Sequence, residues 1–83
     1  MNIYLVSDYV KRLTKEDVIK FSESQGIILE ETELNTIYDY IKKDYKTILY
    51  GNARSILDEL KQKVKPLTYQ KIENLYIKFK DKI

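Results

Sequence analysis

The chain is predicted to be all-α, a compact bundle of four to five short amphipathic helices forming one domain over residues 1–83. Three observations lead there. Apolar residues recur at helical spacing, most plainly at Leu34, Ile37, Tyr38 and Ile41, which fall at i, i+3, i+4 and i+7. A helix-start pattern, an apolar residue on each side of a cap, occurs over 13–18, 29–34 and 67–72. The single short apolar run at 27–29 has no second run to pair with as a strand.

The first helix is expected over Ile3–Arg12, with Asn2 as N-cap and Val6, Tyr9, Val10 and Leu13 on its apolar side. The second is expected over residues 15–25. Thr14 and Asp17 can form a capping box, Leu13 and Val18 stand at the staple positions, and Gly26 follows where a left-handed residue belongs. Val18, Ile19 and Phe21 are expected to point inward. Residues 27–29 then read as an extended linker that feeds side chains into the core.

Residues 29–48 hold the helix around which the others are expected to gather. Glu30 is a weak cap, and Leu29 and Leu34 repeat the staple. Glu31, Glu33, Asp39, Lys42 and Lys43 are expected on the solvent side, the early acids suiting the positive helix end. Tyr45 and Ile48 would continue the stripe, but Thr47 and Ile48 are β-branched and tyrosines crowd the segment. The reading adopted is a break near Asp44 and a loop through Thr47. Asn52 is expected to cap a fourth helix with the clearest stripe in the chain: Ala53, Ile56, Leu57, Leu60 and Val64. Lys61, Lys63 and Lys65 gather at its negative end, and Pro66 stops it by restricting Lys65. Thr68 is expected to cap the last helix, stapled by Leu67 and Ile72, with Tyr69, Ile72, Leu75, Tyr76 and Phe79 inward.

At 83 residues, the chain pays on the order of 100 kcal/mol in conformational entropy to fold, so nearly every apolar residue must be buried. Its 43% hydrophobic and 34% charged fractions are those of a folded domain and not of a disordered tail. With no cysteine and no histidine, it lacks thiolate chemistry, the commonest general base and the commonest transition-metal ligand. The N-terminal apolar run is too short for a signal-peptide core and no run could span a bilayer, so the cytoplasm is the expected location. Residues 1–44 carry 6 basic and 9 acidic side chains, and residues 45–83 carry 9 and 4. Such a split can steer an acidic partner to one end.

Catalysis is not expected. The acids at 16, 17, 30, 31 and 33 lie in first helical turns, where the dipole accounts for them. The serines have no histidine to activate them, and no phosphate-cradling loop or dinucleotide fingerprint is present. No cofactor, metal or small-molecule substrate is expected. Of the eight tyrosines, Tyr4, Tyr9, Tyr38, Tyr69 and Tyr76 lie on or beside apolar stripes, where core-rim packing suffices. Tyr40, Tyr45 and Tyr50, with Arg54, have the composition of a contact surface for a protein partner, a second copy included. An A+T-rich coding sequence would account equally for the abundance of Lys, Ile, Asn and Tyr. The alternative is a weak nucleic-acid surface on the last two helices, using Lys63, Lys65, Lys71, Lys78 and Lys80. A net charge of +2 is small for that task.

Over residues 13–79 the chain resembles a family of small helical cytoplasmic proteins of Bacillus-type bacteria, a domain of unknown function. The resemblance is carried by Leu13-Thr14, Phe21, Ile27 and Leu29, Leu34/Ile37/Ile41, Ile48, Arg54 with Ile56-Leu57, and the segment 75–79. Gly26 and residues 44–51 depart from its pattern. These are packing positions, so the resemblance implies a helical fold in the bacterial cytoplasm and carries over no functional residue.

Overall fold

Among the described residues five helices follow one another: α1 Ile3–Arg12, α2 Lys15–Ser24, α3 Glu31–Tyr50, α4 Arg54–Lys63 and α5 Pro66–Asp81. The computed structural model describes residues 3–81, and side chains over residues 7–78. The expected cap at Asn2 and the apolar Ile83 lie outside the described residues. So do the side chains of Tyr4, Val6, Phe79 and Lys80.

α3 is the organising element: α1, α2 and α4 all pack against it, while α5 packs on α4. Its stripe meets two clusters. Leu34 joins Leu13 and Val18, with Leu29, Tyr38 and Ile41 packed around them. Ile37 serves that cluster and also the second one, built from Leu57, Leu60, Val64 and Tyr69. The α4 stripe is buried throughout, from Ala53 to Val64.

Helix starts follow local chemistry. Thr14 and Asp17 form the expected box: the Asp17 N–H donates to Thr14 Oγ1 at 3.1 Å and the Thr14 N–H to Asp17 Oδ2 at 3.0 Å. These bonds hold the Asp17 carboxyl below its usual range. Leu13 and Val18 are both buried in one cluster, as a staple requires. α2 ends through Gln25 into Gly26, whose φ of +74° is the left-handed conformation that ends many helices. In the linker, Ile27 is buried and Leu29 half-buried, while Ile28 points to water at 89% exposure.

Several expectations need correction. No loop follows Asp44: α3 continues to Tyr50 and only kinks there, with Asp44 at φ −118°, ψ 15°. Partial burial of Ile48 and the Tyr45–Ser7 hydroxyl contact hold the second half helical against its modest propensity. Pro66 begins α5 as well as ending α4. The Lys65 carbonyl accepts the first helical bond, from the Tyr69 N–H at 2.9 Å, so Lys65 occupies the cap and Pro66 the first helical position. Thr68 therefore lies inside the first turn, buried, and Leu67 is exposed instead of stapled. Asn52 accepts from the Arg54 N–H at 3.0 Å, but the cap position itself is Ala53. In α2 the inward residue beyond Val18 is Ser22, one turn on, and Phe21 is turned outward; Tyr9 of α1 is outward too.

The outer side of α3 is also less watery than expected. Glu33 is only 2% exposed. Lys42 donates to the carbonyls of Val10 and Lys11 at 2.6 and 3.0 Å, satisfying the C-terminal end of α1. The Tyr38 hydroxyl reaches the Leu13 carbonyl at 3.2 Å.

Candidate functional site

α3 and α5 both lie on α4, but α5 meets α3 closely only at its start. There the Glu33 carboxylate accepts from the backbone N–H of Lys65 at 2.9 Å and of Glu30 at 3.1 Å. Burial pushes that carboxyl upward; the two backbone bonds, the Lys65 ammonium and the Thr68 hydroxyl outweigh it and hold it below its usual range. The Lys65 ammonium pairs with Glu30, which raises its own pKa. One turn further along α5, Lys71 donates to the Gly26 carbonyl at 2.6 Å. These bonds pin the first two turns of α5 to the α2–α3 linker.

Beyond the pin the two helices stand apart, and a groove of about 500 Å3 opens between them. Its floor is α4, through Ile56, Leu57 and Leu60. One wall is α3, with Ile37, Tyr40, Ile41, Ile48 and Leu49; the other is α5, with Ile72, Leu75 and Tyr76. Phe21 of α2, its C-cap Gln25 and Lys78 of α5 also line it. The lining is overwhelmingly apolar and open to solvent along one side. Among the described residues that line it there is no carboxylate. Among the described residues, no cluster of three or more acidic side chains is placed to hold a metal ion. Nor, among them, is any helix long and apolar enough to cross a membrane.

The structure distributes the residues singled out from sequence among different neighbours. Tyr40 lines the groove; its hydroxyl accepts from Lys63 at 2.9 Å and faces Glu59 at 3.5 Å, and the Lys63 ammonium stands 5.1 Å from its ring. The hydroxyl bond raises the Lys63 pKa. Tyr45 turns to the opposite neighbour, meeting Ser7 of α1. Tyr50 is exposed at the end of α3. Arg54 lies 3.9 Å from Asp58 and 3.7 Å from Glu73, and Glu73 also accepts from the Tyr69 hydroxyl at 3.0 Å. Burial, then the Glu73 carboxylate, pushes the Tyr69 phenol up. Tyr40, Tyr45 and Arg54 thus each meet different neighbours. Of the lysines, Lys63, Lys65 and Lys71 are tied to Tyr40, Glu30 and Gly26. Lys78 lines the groove, and the Lys80 side chain lies outside the described residues.

Ile37, Ile41, Ile72, Leu75 and Tyr76, expected on the apolar stripes, supply much of the groove walls, joined by Tyr40 from the candidate contact surface. The available signal was a mismatch: α3 carries an apolar stripe its full length, yet the chain supplies too few helices to cover both ends of it.

Residues 1–80 match the model of a family described as "Protein of unknown function (DUF2624)". No curated protein matches the chain, and no solved structure does.

Proposed function

This chain belongs to the DUF2624 family, and we propose that it is a small cytoplasmic accessory module that acts by binding protein, without catalysing a reaction. The observation that carries this reading is the groove. Its volume of about 500 Å3 is continuous with the hydrophobic core, and a contiguous apolar face open to water is characteristic of protein recognition. A half-open trough with helical walls suits an apolar helix face better than a small ligand, which binding pockets typically enclose on most sides.

The nucleic-acid alternative on Lys63, Lys65, Lys71, Lys78 and Lys80 draws less support, because the first three already have partners within the fold. Paired affinity captures from the cell that makes the protein test the main reading. Wild type should retain a partner that Phe21→Glu releases; identical captures from the two would refute it.

A further inference from the structure

We draw no further inference here: the strongest candidate, the apolar groove between α3 and α5 with α4 as its floor, carries nothing beyond the protein-binding role already proposed, because nothing in the structure shows what covers it.

Discussion

The carboxylate of Glu33 accepts the backbone N–H of Lys65 across 32 positions of chain, at 2.9 Å. Its other oxygen accepts the N–H of Glu30 at 3.1 Å, so one buried side chain satisfies the starts of two helices, α3 and α5. Removing an acceptor from buried backbone donors leaves them without a partner, which costs about 1–3 kcal/mol per group. Glu33→Gln keeps the shape but places an amide NH2 where an acceptor is needed, and Glu33→Ala removes both acceptors. In a domain of this size each kcal/mol moves the melting temperature by about 4–8 °C. Glu33→Gln should therefore lower Tm by at least about 4 °C, with Glu33→Ala lower still, in thermal melts followed by circular dichroism. Melting curves superimposable on wild type would show that the pin is not holding α5.

The pH profile follows from the same bonds. Glu33 and Asp17 have depressed pKa values in the fold. Their contribution is complete above the unfolded-chain values, about 4, and is lost as pH falls through the lower folded values. Lys63, Lys65 and Tyr69 are raised. Their contribution is complete below the unfolded values, about 10, and is lost as pH rises through the higher folded ones. With no histidine in the chain, little titrates between. Tm should be flat from about pH 5.5 to 9 and fall on both sides, and Glu33→Gln should shallow the acid limb. A midpoint near neutrality would contradict the assignment.

The parts of this fold that were legible are those written locally. The α4 stripe, the Thr14–Asp17 box and the Gly26 terminator each depend on residues within a turn or two, and all appear as expected. Other features depend on partners far along the chain. An acid in a first turn reads as a dipole partner, and nothing near Glu33 announces that Lys65 will cover it. The kink at Asp44 was visible, but the length beyond it was not. Weak propensity at Thr47 and Ile48 costs a few tenths of a kcal/mol per residue, less than even partial burial of Ile48 returns. Five short helices must leave part of their stripes uncovered, but the place of the groove is geometric: helical periodicity tells which face is apolar, not whether a neighbour reaches its far end.

Gly26 and Ile28 are close in sequence and should respond in opposite ways. At φ +74° a Cβ is sterically disfavoured by about 1–2 kcal/mol. No heavy atom outside its chain neighbours lies within 4 Å of where that Cβ would stand, so the cost is conformational rather than a clash. Gly26→Ala should lower stability by about that amount in urea unfolding, with the m-value unchanged. Ile28→Ser, at a position 89% exposed, should stay within about 0.5 kcal/mol of wild type. Leu57→Ala, in the buried floor of the groove, should cost about 2–5 kcal/mol. A large effect at Ile28 would show that this side chain is covered in solution.

Salt dependence decides how far the basic C-terminal half acts on its own. Each phosphate neutralised by a lysine adds about 0.9 to the slope of log affinity against log salt on duplex DNA. Lys63, Lys65 and Lys71 must first leave Tyr40, Glu30 and the Gly26 carbonyl. Two of those bonds brace α5 and the third lies on the groove wall, so releasing them works against the fold. Any association with a short duplex at low salt should therefore show a slope of magnitude below about 2, measured by fluorescence anisotropy. A slope of about 4 or more would mean that most of these lysines exchange their internal partners for phosphate. It would bring the nucleic-acid reading ahead of the groove.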